Sequence, residues 1–171
     1  MKLILPSSKY KKEYQDALKE TERESGETKL NRPDPDQTFE EFVLMWLDHS
    51  KGKNLRHGTV PATMYWLIDE GEVIGRVHIR HTLNDFLLNY AGHIGYYIKP
   101  SKRKKGYGTK LLKLGLEKAK EIGIHKVLIT CDIDNIGSQK VIETCGGVLE
   151  NIVEPEDGKP AKKRYWINNK T

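Results

Sequence analysis

The sequence predicts a mixed α/β (α+β) fold in a single domain that spans residues 1–171, a usual length for one domain. Three patterns support this prediction. Apolar and polar residues alternate over 60–69 and again over 72–81, which is typical of two paired strands. A long amphipathic helix is expected from Tyr107 to Ile122. Strand, loop and helix patterns then follow one another as far as residue 146.

The N-terminal part predicts one short strand and two helices. Residues 2–5, of which all but Lys2 are apolar, predict the strand. Ser7 or Ser8 can cap a helix that runs to about Arg23. A polar segment, 24–36, separates it from a second helix, whose start is marked by the capping-box pair Thr38 and Glu41.

The two faces of the second hairpin strand, 72–81, differ in character. Alternation predicts an apolar face and a basic face. The segment 83–92 that follows is expected to be a loop or a short helical turn. Among the six histidines only His78 and His81 are close in sequence, and their odd offset puts them on opposite faces, so we predict no metal site. The apolar face carries Val73, Gly75, Val77 and Ile79, and the basic face carries Arg76, His78 and Arg80.

The stretch from residue 93 to residue 123 combines a strand, a basic loop and the long helix. The strand covers 94–99 and ends before Pro100, which cannot donate to a ladder. The loop covers 101–108. The helix begins at Gly106 or Tyr107 and is followed by Gly123, a typical residue after a helix C-terminus.

The start of this helix has the composition of an anion site. Arg103, Gly106 and Gly108 give the spacing Arg-x-x-Gly-x-Gly, which leaves backbone N–H groups accessible. Helix N-termini bind phosphates through such groups, and three lysines lie in the same turn. This pattern favours a pyrophosphate site. A solvated basic loop is the alternative interpretation, because a glycine pattern alone is weakly specific.

The C-terminal part predicts three more strands and one helix. The run 126–131 is continuously apolar at its centre, which is typical of a strand covered on both faces and paired in parallel with 94–99. Asp134 or Asn135 begins the helix, which ends at Gly146-Gly147. Strands over 148–153 and 162–167 follow, joined by a turn at 154–160.

The region from about residue 73 to residue 153 resembles the GNAT superfamily of acyl-CoA N-acyltransferases. The matching residues are Ile98-Lys99-Pro100, the segment RKKGYG at 103–108, and Asn135-Ile136-Gly137-Ser138 before the next helix. The resemblance implies a GNAT-like fold, with a central mixed sheet of six or seven strands and helices on both faces. It also implies an acetyl-CoA-dependent N-acetyltransferase, which moves the acetyl group to a primary amine by direct attack. A non-catalytic acyl-CoA binding or sensing module and a nucleic-acid-binding protein are the alternatives.

The resemblance also implies the residues that hold the coenzyme. Strands 94–99 and 126–131 would diverge and admit the pantetheine arm between them. Helix capping is the alternative role for Asn135 and Ser138. The implied binding residues are Tyr97, Ile98 and Lys99 through their backbone, Arg103, Lys104, Lys105, Gly106, Tyr107, Gly108 and Thr109 at the pyrophosphate, and Asn135 and Ser138 at the pantetheine arm.

The catalytic groups are less well marked. A tyrosine that often protonates the leaving thiolate in this family corresponds to Ile142 here, so Tyr96 is the candidate for that role, with Tyr90 as the alternative. His93 is the candidate base, with a packed structural histidine as the alternative. A free N–H at a bulge in the central strand is expected to stabilise the oxyanion.

Composition restricts the compartment and the partners. The net charge is +5, and no apolar run approaches the ~20 residues of a membrane span. The two cysteines are expected to be reduced, which favours a cytoplasmic enzyme. We expect a small-molecule or protein amine as the acceptor, with no nucleic acid and no membrane as partners, and we consider a homodimer through the C-terminal strands.

Overall fold

The computed structural model describes residues 1–25, 30–155, 158 and 160–169. Over these residues the chain forms seven strands and four α-helices. A π-helical turn, Leu87–Ala91, lies where the sequence predicts a loop or helical turn. The elements in chain order are β1 (Lys2–Ile4), α1 (Lys11–Ser25), α2 (Phe39–Ser50), β2 (Ala62–Asp69), β3 (Glu72–Arg80), β4 (Ile94–Ile98), α3 (Tyr107–Glu121), β5 (Lys126–Asp132), α4 (Ile136–Thr144), β6 (Val148–Val153) and β7 (Lys162–Asn168).

The strands form two antiparallel sheets, one in the order β1-β2-β3-β4 and the other in the order β5-β7-β6. The α/β class agrees with the prediction, but the strands are divided between two antiparallel sheets of four and three strands instead of forming one mixed sheet of six or seven. The predicted parallel ladder between β4 and β5 is wrong, because over the described residues the two strands belong to different sheets, and an isolated antiparallel bridge joins Gly92, just before β4, to Ile129 of β5. The N–H of His93 donates to the carbonyl of Leu128 at 2.7 Å, and the N–H of Leu128 donates to the His93 imidazole. A side chain therefore takes the place of the next ladder bond.

Helices cover both faces of the four-stranded sheet, as predicted. Helices α1 and α2 enclose an aromatic core on one face, where the rings of Tyr14 and Trp66 stack with centroids 4.2 Å apart. Helix α3 packs on the other face through Leu111 and Leu112, both fully buried. This core beneath α3 also contains Ile142 of α4 and is shared by the two sheets.

The ends of the helices follow the local signals of the sequence. Thr38 and Glu41 form the predicted capping box at the start of α2. Gly123 follows α3 with a φ of +84°, a left-handed conformation that favours glycine. Asn135 caps α4 by accepting the N–H of Ser138 at 3.0 Å.

One prediction for the hairpin faces needs correction. Val73 packs with the aromatic core beside α1 and α2, whereas Val77 packs beneath α3. The cause is a β-bulge at which Leu67 pairs with Gly75 but Ile68 pairs with Val73. The predicted loop 24–36 and turn 154–160 lie partly outside the described residues. No helix among the described residues is long and apolar enough to span a membrane.

Candidate active site

A run of unpaired backbone N–H groups marks the start of α3. The N–H groups of Lys102 and Arg103 donate to carbonyls in the preceding turn at 3.0 and 3.2 Å, and the N–H of Lys110 donates to Gly106 at 3.2 Å. Between them, we find no hydrogen bond from the N–H groups of residues 104–109 to any described residue. These donors lie at the positive end of the helix dipole, so an anion with several oxygens is the ligand that suits them.

The two glycines of the motif have different roles. Gly106 precedes the helix with a φ of +79°, and a Cβ there would meet no protein atom within 4 Å. The space beside it is therefore open to a ligand. A Cβ on Gly108 would lie 3.2 Å from a methyl group of Val141, so this glycine serves the packing of α3 against α4.

The side chain of Arg103 points away from this turn. Its guanidinium donates to the Glu24 carboxylate at 2.7 Å, to the Tyr97 hydroxyl at 2.7 Å and to the Ile98 carbonyl at 3.0 Å. These contacts tie the loop to α1 and β4. The geometry gives the Arg103 side chain a structural role, which differs from its predicted contact with the pyrophosphate.

The lysines of the loop fall into two groups. Lys99 and Lys102 both bind Glu72, at 2.8 and 3.1 Å, and their hydrogen bonds hold the pKa of that carboxyl below its usual value. Lys105 donates only to a backbone carbonyl, and no described acidic side chain pairs with it or with Lys104. Lys104 and Lys105 are thus the cations available to an external anion.

The edge of β4 that faces β5 is open. The N–H of Lys99 donates to the carbonyl of Ile74 on β3 at 3.0 Å. Because successive residues of a strand direct their backbone groups to opposite edges, the backbone of Tyr97 also faces β3. The backbone groups of Tyr96 and Ile98 face the gap. An extended ligand in this gap would pair with Tyr96 and Ile98 rather than with Tyr97 and Lys99.

The predicted bulge in the central strand is absent. The register between β3 and β4 runs without a shift, and the extra residues in the described sheets are Ile74, on the side of β3 that pairs with β2, and Glu150 of β6. An oxyanion donor at the gap therefore has to come from the regular strand. The N–H of Tyr96 lies on the open edge and has the required direction.

Tyr96 reaches across the gap to α4. Its hydroxyl donates to Ser138 Oγ at 3.1 Å. Burial raises the pKa of Tyr96 to about 12, so the hydroxyl keeps its proton at neutral pH. Ile142, in the place of the family's usual tyrosine, is fully buried in the core and has no polar atom to offer. Tyr107, another predicted ligand, directs its hydroxyl to Asp69 at 2.8 Å.

His93 is engaged in the junction of the two sheets. Its Nδ1 accepts the N–H of Leu128 at 3.0 Å, which leaves the proton of the neutral ring on Nε2. Burial, and then the nearby Arg80, lower the pKa of His93. The ring therefore has no free acceptor nitrogen, and the geometry favours a structural histidine over a base.

A comparison with protein families decides the class. The profile of the acetyltransferase (GNAT) domain matches residues 10–148, most of the chain. The protein belongs to the GNAT family of acetyltransferases. The predicted family and the predicted N-acetyltransferase class are therefore confirmed. No curated protein shows a significant match to the whole sequence.

Solved GNAT structures share the fold. The microcin C7 self-immunity acetyltransferase MccE, solved in complex with acetyl-CoA and AMP, superposes with a TM-score of 0.69 at 18% identity, over 97% of this chain and 91% of its own. RimL, a ribosomal L7/L12 alpha-N-protein acetyltransferase, gives 0.69 at 19% identity, over 97% and 88%. Spermidine N-acetyltransferase SpeG from Vibrio cholerae gives 0.65 at 17% identity, over 99% and 95%.

A cavity on the other side of the four-stranded sheet was not predicted from the sequence of this GNAT protein. A cavity of about 500 Å³ lies on the α1 and α2 side of the four-stranded sheet, and His78 and Arg80 are among its lining residues. The signal was present as basic residues on one face of a strand with an apolar opposite face. It could not be distinguished from a solvated face, because the sequence does not show that α2 covers it. No cluster of three or more metal-ligating side chains occurs among the described residues.

Proposed function

We propose that this GNAT protein transfers the acetyl group of acetyl-CoA directly to a primary amine, without a covalent enzyme intermediate. The observation that carries the proposal is the run of unpaired N–H groups at 104–109, which lies directly after a strand with an open edge. The diphosphate of the coenzyme carries the negative charge and the acceptor oxygens that suit these N–H donors. Two solved proteins of the same fold contain acetyl-CoA: MccE, and yncA, a putative acetyltransferase from Salmonella typhimurium.

The residues present fit the coenzyme as follows. The N–H groups around Gly106 hold the diphosphate, and Lys104 and Lys105 add positive charge. The pantetheine arm lies along β4, where the backbone groups of Tyr96 and Ile98 face the gap. Ser138 lies across that gap, since its Oγ is bonded to the Tyr96 hydroxyl. Asn135 supports this helix end through its cap and keeps its amide N–H₂ for the pantetheine.

The chemistry follows from these positions. The neutral amine attacks the thioester carbon, so a C–N bond forms and the carbonyl oxygen becomes an oxyanion. The N–H of Tyr96 donates to that oxyanion. The C–S bond then breaks, and the Tyr96 hydroxyl gives its proton to the thiolate. The amine loses its proton to solvent, because the acceptor nitrogen of His93 is already engaged and cannot take it. Solvent then returns a proton to the Tyr96 phenolate, so the reaction has no net proton change at the enzyme.

Two measurements test the proposal. Calorimetry should detect CoA binding, and free thiol should appear from acetyl-CoA only when an amine is added. Replacing Lys104 and Lys105 with Gln should weaken CoA binding by about 30-fold, because each charged contact with an anion contributes about 1 kcal/mol near a surface, or about 2 kcal/mol for the pair. Arg23→Gln, an exposed change on α1, is the matched control. Absence of binding heat and of amine-dependent thiol would contradict the proposal.

The acceptor and the assembly also belong to this proposal. We take the acceptor to be a small-molecule or protein amine; the relatives in fold include a spermidine and an alpha-N-protein acetyltransferase. A homodimer through the C-terminal strands remains a prediction. It is consistent with β6, an edge strand that exposes Val148, Leu149 and Ile152, and light scattering would test it. The cytoplasmic compartment and the single domain also stay predictions.

A further inference from the structure

The cavity beside α2 has an apolar wall and a basic floor. Its volume is about 500 Å³, and it lies between α2, the segment before β2 and the π-helical turn. The floor is the face of β3 that carries His78 and Arg80. The apolar part of the wall is formed by Phe42, Met45, Trp46, Val60, Phe86 and Leu87.

Arg80 brings a partly buried charge into this cavity, and no counter-ion pairs with it among the described residues. Its Nη1 donates to the carbonyls of Ala91 and Gly92 at 3.3 and 3.0 Å, and no carboxylate of the described residues pairs with it. Burial lowers the pKa of Arg80 to about 10, so the guanidinium stays charged at neutral pH. Buried charges in proteins are normally paired. An anionic ligand would supply the missing partner.

His78 points to the same conclusion. Its Nε2 is buried and has no hydrogen-bond partner among the described residues. The charged and titratable groups around this ring are all basic: Arg76, Arg80, His49 and His81. The one acidic residue of the lining, Asp34, is at the exposed rim and pairs with Arg56 at 3.2 Å. The floor of the cavity is therefore positive, with an open hydrogen-bonding position.

The position of Arg80 connects the cavity with the acetyl-transfer site. A Cβ on Gly95 of β4 would lie 3.9 Å from both terminal nitrogens of Arg80, and nothing else of the protein comes within 4 Å of that point. The guanidinium of Arg80 thus lies over β4 at Gly95, the residue before Tyr96, and beside the point at which the two sheets separate. A group bound to Arg80 is close to the gap proposed for the thioester.

We propose that this cavity binds the acceptor, and that the acceptor is an amino-acid-like amine. Its carboxylate contacts Arg80 and His78, its apolar side chain fills the aromatic part of the cavity, and its amine, a few atoms from the carboxylate, faces the gap beside β4. This inference rests on the proposed acetyl transfer. Polyamines have no anionic group for the basic floor and bring positive charge towards it, so they are poor acceptors.

Matched pairs of amines test the inference with the unmodified enzyme. Thiol release from acetyl-CoA is measured with phenylalanine, leucine, methionine and tryptophan, with the amide of each, and with spermidine. Because a hydrogen bond to a buried charged group contributes about 10- to 100-fold in binding, kcat/KM should be higher by that factor for the carboxylate of each pair that reacts. Spermidine should react no faster than the amides.

Variants locate the effect at Arg80. Arg80→Met should remove the preference for the carboxylate over the amide, and Arg80→Lys should keep part of it. Arg23→Gln should leave the ratio unchanged. The ratio within one variant is the readout, so a general loss of stability cancels. A preference that survives in Arg80→Met would overturn the assignment.

The outcomes separate this inference from the proposed function. If spermidine or the amides react at least as well as the carboxylates, or if only amines outside the panel react, the acceptor class is wrong and acetyl transfer stands. If calorimetry detects no CoA binding and no amine releases thiol, both fail. A carboxylate preference that depends on Arg80 supports both.

Discussion

The hydroxyl of Tyr96 is the group whose removal tests the proposed chemistry best. Tyr96→Phe deletes one oxygen and keeps the ring that packs against the core beneath α3. The hydroxyl donates to Ser138 Oγ at 3.1 Å. Ile142 stands where the family usually has the tyrosine that acts as the acid, and it is fully buried. In the proposed reaction Tyr96 is therefore the donor to the leaving thiolate.

The expected magnitudes for stability and for catalysis differ. Loss of a neutral hydrogen bond costs about 0.5–1.5 kcal/mol of unfolding free energy. General acid catalysis typically contributes 10²–10⁴-fold, and a thiol with a pKa of about 8.5 needs the least help. We therefore expect kcat to fall by about 10²-fold. The Kd for CoA should change by no more than about threefold, because the diphosphate contacts are untouched.

Single-turnover thiol release at saturating acetyl-CoA measures this effect. Tyr65→Phe is the matched control, since Tyr65 is a half-buried tyrosine packed against the same core but on β2. It should leave kcat unchanged. A Tyr96→Phe enzyme with a wild-type kcat would refute the role of the hydroxyl, and an equal loss in Tyr65→Phe would assign the effect to packing.

Three further predictions concern stability and binding. The pKa of Tyr96 rises from about 10 in the unfolded chain to about 12 in the fold, so its contribution to stability is fully present below pH 10 and is lost as pH rises to 12; in urea denaturation the unfolding free energy of the wild-type protein should fall over that window by about 2–3 kcal/mol more than that of Tyr96→Phe, in which Tyr165 still titrates. Arg103→Gln should lower stability by about 1 kcal/mol and leave the calorimetric Kd for CoA within about threefold. The variant with Gln in place of both Lys104 and Lys105 should keep its stability and lose affinity for CoA. A large loss of CoA affinity in Arg103→Gln would restore the predicted role of Arg103 at the diphosphate. Gly106→Ala places a Cβ at a φ of +79° and should destabilise the protein by about 1–2 kcal/mol, although no atom obstructs it, and an unchanged unfolding midpoint would show that the turn relaxes.

Local signals in the sequence were sufficient for the elements around the site. The capping box at Thr38 and the start of α3 at Gly106 depend on residues within one or two turns of each other. The same holds for the period of α3. These predictions agreed with the structure because each depends on the geometry of a few neighbouring residues.

The structure differs from the expectations where residues far apart in the sequence come into contact. Arg103 binds Glu24, which lies 79 residues earlier in the chain. His93 interrupts the pairing of β4 with β5 through a side-chain contact with Leu128, 35 residues later. The basic floor of the cavity becomes visible only when α2 covers β3. Spacing along the chain carries no information on which charged residue meets which partner across such distances.

Amide chemical shifts measured during a titration with CoA test the central claim most directly. If the coenzyme's diphosphate is held at the start of α3, the amide signals of residues 104–109 should move together and saturate with one Kd. Those of Lys102 and Arg103, whose N–H groups already donate to Lys99 and Pro100, should move little. Saturable binding of CoA that leaves the signals of 104–109 in place would contradict the account.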